Sequence, residues 1–268
     1  MTEPPAGHVR LALDRARLES ALGQPWSGIE IVDATESTNA DLIQAAPARP
    51  AGAVLVAEYQ RTGRGRLDRR WASPPRAGLT FSVLLRPSAS ASQWGWLPLL
   101  TGVAVRDAVA ELTGLDAALK WPNDVLLGAA RRKAAGILAQ VVGDAAVVGV
   151  GLNVTTTAGE LPVDTATSLA IEGGTPPPDR TDLLVLILAE LGARYMRWDA
   201  AGGDAEVSGL AADYRDRCAT IGRDVVVSGT DGDSYEGRAT GVDADGRLVL
   251  TSDGRQRLVA AGDVRHLR

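Results

Sequence analysis

The sequence is poor in the residue types on which several classes of enzyme depend. Its 268 residues include a single cysteine, Cys218, so neither an internal disulfide nor a cysteine metal cluster can form. The two histidines, His8 and His266, lie near the two ends. A Ser-His-Asp triad or a histidine-rich metal site is therefore a poor interpretation, and the chemistry is expected to depend on other side chains.

Long apolar runs are also missing. The first ten residues lack the apolar core of a signal peptide, and no uninterrupted run approaches the length that spans a membrane. We therefore expect a cytoplasmic protein. Because 45% of the residues are hydrophobic, the chain can still bury a substantial core, and its length suits one large domain plus a small one.

Lysine and asparagine are scarce in a way that points to particular positions. The 28 basic residues comprise 26 arginines and only two lysines, Lys120 and Lys133, and asparagine occurs only as Asn39, Asn123 and Asn153. Where nearly every cation is an arginine, a retained lysine suggests a need for its compact, strongly solvated charge. All five residues fall in the segments that the motifs below single out.

Positive charge is concentrated in residues 60–71, which carry five arginines and two glycines directly after the apolar run at 53–59. Glycine lets the backbone approach a ligand, and guanidinium forks match carboxylate and phosphate oxygens. The net charge of -5 argues against a nucleic-acid backbone as the main partner. The stretch therefore favours a small-anion site, although by itself it also fits a solvated turn or a nucleic-acid arm.

The apolar pattern predicts strands interspersed with helices up to about residue 220, and the sequence pattern changes from Gly222 onwards. Short β runs separated by Gly/Asp turns then predict a small β-barrel. We expect one domain over residues 1–220 and a second over 221–268. Predicted strands lie at 29–32, 53–59, 78–86, 119–127 with a break at Pro122, 133–142, 145–154, 224–227, 234–242, 247–250 and 256–259; predicted helices lie at 9–22, 39–46, 94–112, 179–199 and 206–218.

The candidate site combines hydroxyls and amides with fixed cations. Such a set suits an acid that is bound through its carboxylate beside a nucleotide phosphate, where the barrier to reaction is mainly electrostatic. Locally, a helix cap at Ser37 or Thr38, a plain Asn123-Asp124 turn and a core role for Trp71 remain open alternatives. The set comprises Ser37, Thr38, Asn39, Gln60, the arginine stretch, Asn123, Asp124 and Lys133.

Five motifs in register resemble biotin protein ligases over nearly the whole chain. They are Glu36-Ser37-Thr38-Asn39, Gly63-Arg64-Gly65-Arg66 with Trp71, Lys120-Trp121-Pro122-Asn123-Asp124, Lys133-x-x-Gly136-Ile137-Leu138 and Gly149-Val150-Gly151-Leu152-Asn153. The resemblance implies an α+β fold: a mixed β-sheet flanked by helices, akin to class II aminoacyl-tRNA synthetases, with a C-terminal SH3-like barrel. It also implies that biotin and MgATP give biotinyl-5′-AMP, which then biotinylates a lysine of a biotin carboxyl carrier protein.

The same resemblance implies a role for each matched residue. Biotin would be bound by Ser37, Thr38, Asn39 and Gln60, by the Gly63-Arg64-Gly65-Arg66 loop, and by Gly136 at the pocket floor. Lys133, Arg64 and Arg66 would act on the carboxylate and phosphate oxygens, and Asp124 would help with magnesium or the incoming amine. The adenylate would lie against Arg66, Trp71, Asn123, Lys133 and Asn153.

Two departures from the family pattern modify these expectations. The loop continues as Leu67-Asp68-Arg69 where the family often has Arg-Gly-Arg, so Asp68 weakens the local positive field. About 28 residues precede the first predicted strand, so we expect no winged helix, no DNA binding and no repressor role. A lipoate–protein ligase is the nearest rival, but its Arg-Arg-x-Ser-Gly-Gly-Gly segment is absent. A homodimer and a carboxyl carrier partner remain compatible with the sequence.

Overall fold

A computed structural model describes residues 10–66, 69–173, 177–229 and 233–267. Its largest unit is a seven-stranded mixed sheet in the order β1-β2-β5-β9-β8-β7-β6, in which β1 and β2 are parallel and the other neighbours are antiparallel. The strands are β1 (Gly28–Val32), β2 (Ala53–Ala57), β5 (Gly78–Leu85), β6 (Ala117–Lys120), β7 (Asp124–Leu127), β8 (Arg132–Val142) and β9 (Ala145–Asn153), with the short hairpin β3 (Gly63–Arg64) and β4 (Arg70–Trp71) outside it.

The centre of the sheet is buried on both faces. Strands β5 and β9 pair over eight positions, from Gly78 opposite Asn153 to Leu85 opposite Ala146, and every residue of both strands is buried. Near-continuous apolar runs are expected where a strand is covered on two sides. These apolar runs are the sequence feature from which the two strands were predicted.

Six α-helices are found among the described residues. The long helices α3 and α5 pack on one face of the sheet, whereas α2 packs on the other through Leu42, which lies against Leu55, Leu84 and Val147. The Ser37 hydroxyl caps α2, and Gly114, at φ 68°, ends α3. The helices are α1 (Arg15–Ala21), α2 (Thr38–Ala45), α3 (Trp96–Thr113), α4 (Leu169–Gly173), α5 (Arg180–Ala200) and α6 (Leu210–Arg217).

A five-stranded antiparallel sheet forms the C-terminal β domain, in the order β13-β12-β11-β10-β14. It docks on the larger unit through two indole N–H groups, because Trp96 donates to the carbonyl of Ala244 and Trp121 to that of Gly246. The strands are β10 (Asp224–Gly229), β11 (Ser234–Val242), β12 (Leu248–Ser252), β13 (Arg255–Val259) and β14 (Gly262–His266).

The predicted fold class, a mixed sheet flanked by helices with a small C-terminal β domain, is confirmed. The predicted helix at 206–218 begins only at Leu210, because Asp204 caps a separate turn and Gly209 adopts φ 80°. Of the helix predicted at 9–22, the described part is helical from Arg15, after the Asp14 cap, and residues 10–14 are not helical. Strand β14 was not predicted, and His8, Val9, Leu67 and Asp68 lie outside the described residues.

Candidate active site

Two neighbouring strands bring the first group of polar residues together. Because β1 and β2 are parallel, the segments that follow them leave the same edge of the sheet, and Thr35 forms a β-bridge with Gln60. The Gln60 side-chain oxygen accepts from the Thr38 backbone N–H at 2.7 Å and from its hydroxyl at 3.0 Å. Residues 38 and 60, which are distant in the sequence, therefore form one polar surface at the start of α2.

The same cluster continues into the sheet. The Ser82 hydroxyl lies 2.7 Å from Thr38 Oγ1 and 2.6 Å from Asn39 Oδ1, and the Asn39 amide donates to the Leu138 carbonyl at 3.1 Å and to the Gln140 side chain at 2.9 Å. A Cβ at Gly149 would lie 2.1 Å from Asn39 Oδ1. Ser82 was not singled out in the sequence, and it joins the α2 start to β5.

A buried ion pair fixes the strand end that leads to Gln60. Arg180, the first residue of α5, donates to Glu58 Oε2 at 2.7 Å and to the Gly78 carbonyl at 3.0 Å, while the Leu13 N–H donates to Glu58 Oε1 at 2.6 Å. The side chains of Arg180 and Glu58 are only 8% and 5% exposed. The pair therefore ties β5 and α5 to the end of β2, two residues before Gln60.

The arginine stretch forms a short hairpin, here called the arginine hairpin: residues 63–66 and 69–71, with β3 and β4 as its strands. A Cβ at Gly63 would lie 2.5 Å from the Trp71 carbonyl and 2.7 Å from the Gln60 amide nitrogen, so only glycine fits this crossing. Arg64 is exposed, whereas burial lowers the pKa of the Arg66 guanidinium and nearby Asp124 and Asp263 oppose that effect. Arg66 therefore lies deeper in the cleft than Arg64.

Trp71 lies across two glycines of the sheet. A Cβ at Gly151 would lie 2.3–2.8 Å from the indole ring, and one at Gly136 would lie 3.4 Å from it. The Lys133 ammonium is 5.9 Å from the ring centroid. The indole is only partly buried and faces the cleft, so its exposed side is available to a planar ligand group.

Lys133 and Asp124 form an ion pair at the cleft floor, with Nζ 2.5 Å from Oδ1. Both residues sit on neighbouring strands, where Asp124 is opposite Gly136. Lys133 also anchors the backbone after β9, because its N–H donates to the Thr165 carbonyl and its carbonyl accepts from Thr167. The ammonium is thus placed between the arginine hairpin and the sheet by two independent strand pairings.

The two remaining predicted asparagines serve the backbone as well as lining the cleft. The Asn123 amide donates to the Ile137 carbonyl at 2.9 Å, and the Ile137 N–H donates back to the Asn123 carbonyl. The Asn153 amide donates to the Thr167 carbonyl at 3.0 Å, while its buried Oδ1 has no hydrogen-bond partner among the residues that the structure describes. A buried acceptor without a partner is costly, so Asn153 Oδ1 is a good position for a ligand donor.

The C-terminal β domain supplies one wall of the cleft, which the sequence did not predict. Arg69 contacts Asp263 through two hydrogen bonds, of 2.6 and 3.3 Å. The Thr220 hydroxyl lies 3.0 Å from His266 Nε2, and burial, followed by the charges of Lys120 and Arg223, lowers the His266 pKa to about 4. The wall residues from this domain are Arg223, Gly262, Asp263, Val264, Arg265 and His266, and Ala219 lines the cleft just before it.

Together these elements enclose a cavity of about 1090 Å³. Ligand sites for small molecules occupy roughly 300–1,000 Å³, so the cavity has room for two substrates side by side. All predicted site residues line it except Gly63, which is buried within the arginine hairpin against Trp71. One end carries neutral hydroxyl and amide groups, and the other carries cations, so a polar uncharged ring and an anion can be held in one ligand.

The cleft holds two carboxylates near its cations, Asp124 and Asp263, and each is paired with one of them. Among residues 10–66, 69–173, 177–229 and 233–267, no three His, Cys, Asp or Glu side chains are grouped as a metal site. Mg²⁺ commonly enters such sites with one or two carboxylates plus substrate phosphates. In the same part of the chain, no helix is long and apolar enough to cross a membrane.

Comparison with known proteins places this fold and cleft in a defined class. Residues 29–155 match the biotin/lipoate A/B protein ligase family, and residues 220–267 match the biotin protein ligase C-terminal domain. The biotin–[acetyl-CoA-carboxylase] ligase of Mycobacterium tuberculosis is 44% identical over 97% of this chain and 98% of that protein. The chain belongs to the biotin protein ligase family.

A more distant relative and a solved structure are also similar to this chain. The bifunctional ligase/repressor BirA of Bacillus subtilis is 30% identical over 90% of this chain and 74% of that protein. The biotin protein ligase of Aquifex aeolicus, solved in complex with biotin and ATP, matches with a TM-score of 0.74 at 27% identity, over 91% of this chain and all of that one.

Proposed function

We propose that this chain is an ATP-dependent biotin–protein ligase that first makes biotinyl-5′-AMP and then transfers biotin to a lysine. The observation that carries the proposal is the joining, in one cavity, of the neutral Thr38–Gln60 cluster to the arginine hairpin and the Lys133–Asp124 pair. The family membership and the names of its relatives support the same chemistry.

In the first half-reaction, a biotin carboxylate oxygen attacks the α-phosphorus of ATP, and the bond to the β-phosphate oxygen breaks to release pyrophosphate. Two anions must meet, so fixed positive charge lowers the barrier. Lys133 would hold the carboxylate and α-phosphate oxygens, and Arg64 and Arg66 would lie over them. A charge-assisted hydrogen bond is worth about 1.5–3 kcal/mol, so two that tighten in the transition state supply several powers of ten in rate.

In the second half-reaction, a lysine amine attacks the acyl carbon, AMP leaves and the amine loses a proton. Asp124 is the carboxylate at the cleft floor, and we propose that it assists the amine or the magnesium that accompanies ATP. Mg²⁺ would neutralise phosphate charge. Its fit rests on Asp124 and the substrate phosphates, because grouped protein ligands are lacking among the described residues.

The remaining site residues are proposed to recognise the two substrates. Biotin would be bound by Ser37, Thr38, Asn39 and Gln60 and by the Gly63-Arg64-Gly65-Arg66 loop. Gly65 and Gly136 would allow close approach of the ligand, whereas Gly63 allows the hairpin to cross Trp71. Adenine and ribose would lie against Trp71, Asn123 and Asn153. We further propose a carboxyl carrier domain of an acyl-CoA carboxylase as acceptor, a catalytic domain at 1–220 with the β domain at 221–268, and the cytoplasm as location.

ATP–pyrophosphate exchange tests the first half-reaction. Purified protein, ATP and magnesium are mixed with biotin or with lipoate in parallel, and labelled pyrophosphate incorporated into ATP is counted. We expect exchange with biotin alone. Exchange with lipoate alone would move the assignment to the sister activity, and exchange with neither would contradict the proposal.

A further inference from the structure

Within the described residues, the hydrogen bonds between the C-terminal β domain and the arginine hairpin involve one carboxylate, that of Asp263. The Asp263 carboxylate, on β14, accepts hydrogen bonds from both terminal nitrogens of Arg69, from Nη2 at 2.6 Å and from Nη1 at 3.3 Å. This two-point geometry fixes orientation as well as distance. Arg69 matches the last arginine of the family loop pattern, whereas its partner Asp263 lies on a strand that none of the five motifs covers.

The hairpin needs such an anchor. Its strands pair at only two positions, Gly63 with Trp71 and Arg64 with Arg70, and isolated hairpins of this length are at best marginally stable in water. Its four described arginines also repel one another. The Asp263 hydrogen bond is the main cause of a raised Arg69 pKa, and the Asp263 charge also favours the charged form of Arg66.

The strand that carries Asp263 is itself firmly placed. At its other end, His266 Nε2 lies 3.0 Å from the Thr220 hydroxyl, and that hydroxyl accepts from the Trp121 backbone N–H at 3.2 Å. Between the two ends, Val264 is buried opposite Val227. Strand β14 therefore spans the cleft wall from the Trp121 turn to the arginine hairpin.

We propose that Asp263 is a positioning residue for adenylate retention: it holds the arginine hairpin over the cleft through Arg69 without touching substrate. The inference rests on the proposed function, since it names a step of the same reaction. An opposite role, in which Asp263 occupies the place of a ligand anion and competes with it, would have the reverse effect on retention.

The test is the rate at which preformed biotinyl-5′-AMP leaves the enzyme. Adenylate is formed from biotin and labelled ATP, free nucleotide is removed, and the bound label is followed after dilution into unlabelled biotin. Asp263→Asn and Arg69→Gln should each speed release by about two- to fivefold, as expected for an exposed pair. The double variant should release no faster than either single variant, because both remove one interaction.

Salt and a matched ion pair provide the controls. Wild-type release should quicken with ionic strength more than release from Asp263→Asn, because the exposed pair is screened. Glu206→Gln removes an exposed two-point pair with Arg215 on α6, outside the cleft lining, and should leave release unchanged. Thermal unfolding of each variant checks that the fold is intact.

The possible outcomes distinguish failure of the proposed ligase function from failure of the positioning role of Asp263. Absence of any adenylate in the wild type contradicts the proposed function. Normal adenylate formation with release from Asp263→Asn and Arg69→Gln at the wild-type rate overturns the positioning role. Slower release from Asp263→Asn also overturns it and assigns the competing role. Strictly additive effects in the double variant would show that the two residues act separately.

Discussion

Replacing Gly151 by alanine tests the proposed place of the nucleotide. The new Cβ would lie 2.3 Å from Trp71 Cε2 and 2.4 Å from Nε1, about 1 Å closer than van der Waals contact allows. The Gly151 backbone cannot retreat, because β9 is paired with β5 on one side and β8 on the other. The partly exposed indole must therefore move into the cleft.

The magnitudes follow from that displacement. Overpacking costs about 1–3 kcal/mol, and a ring that can swing outward keeps the loss of stability at the low end. Loss of an aromatic surface under a base costs about 1–3 kcal/mol of binding, which is roughly a 5- to 150-fold change. We expect the KM for ATP in pyrophosphate exchange to rise by that factor, with a smaller change for biotin.

Two further alanine variants give a graded comparison. At Gly136 the Cβ would lie 3.4 Å from Trp71 and 3.2 Å from Lys133 Nζ, so a milder effect on ATP is expected. At Gly28, on β1, the Cβ would meet open space, and wild-type kinetics are expected. A folded Gly151→Ala protein whose KM for ATP stays within about twofold of wild type would refute the role given to Trp71.

Four other changes probe the cleft and its support. Lys133→Ala should abolish adenylate formation while circular dichroism stays unchanged; normal exchange would remove its assigned role. Arg66→Gly should retain some synthesis but release adenylate, seen as biotinylation of non-cognate lysines, and wild-type leakage would contradict this. Arg180→Met leaves Glu58 buried without its cation, so urea unfolding should show a loss of about 3–5 kcal/mol, and a loss below about 1 kcal/mol would refute it. Because the His266 pKa is lowered to about 4 in the folded protein, His266 takes up a proton at a higher pH in the unfolded chain, and the free energy of unfolding should fall as pH falls from 6.5 towards about 4. His266→Gln should make the free energy of unfolding less dependent on pH in this range. An unchanged slope would exclude His266 as its source.

The sequence predicted best the elements whose apolar pattern is unambiguous. Strands β5 and β9 appeared as apolar runs because both faces are covered, and α3 appeared through helical spacing with a glycine stop at Gly114. Strand β14 escaped prediction because Val264 is its only large apolar residue. The late start of α6 depends on the conformation of Gly209, which local propensity does not determine.

Whether a residue of the candidate site could be predicted also depended on the presence of a local sequence motif. Residues carried by motifs within the larger unit, such as Thr38 and Lys133, line one cavity, and their roles stay predictions. Asp263 and Arg223 were missed because they join the cleft through the docking of a separate sheet, which leaves no local pattern. The scarcity of lysine was the one sequence feature that drew attention to a residue next to this wall, because Lys120 lies beside His266.

The most direct measurement is a single-turnover transfer experiment with the purified chain. Protein is loaded with biotin and ATP labelled in the α-phosphate, freed of unbound nucleotide, and mixed with an apo carboxyl carrier domain. We expect labelled AMP to be released in step with the appearance of biotin on one carrier lysine, as seen by mass spectrometry. Failure to form bound adenylate, or bound adenylate that never modifies the carrier, would contradict it.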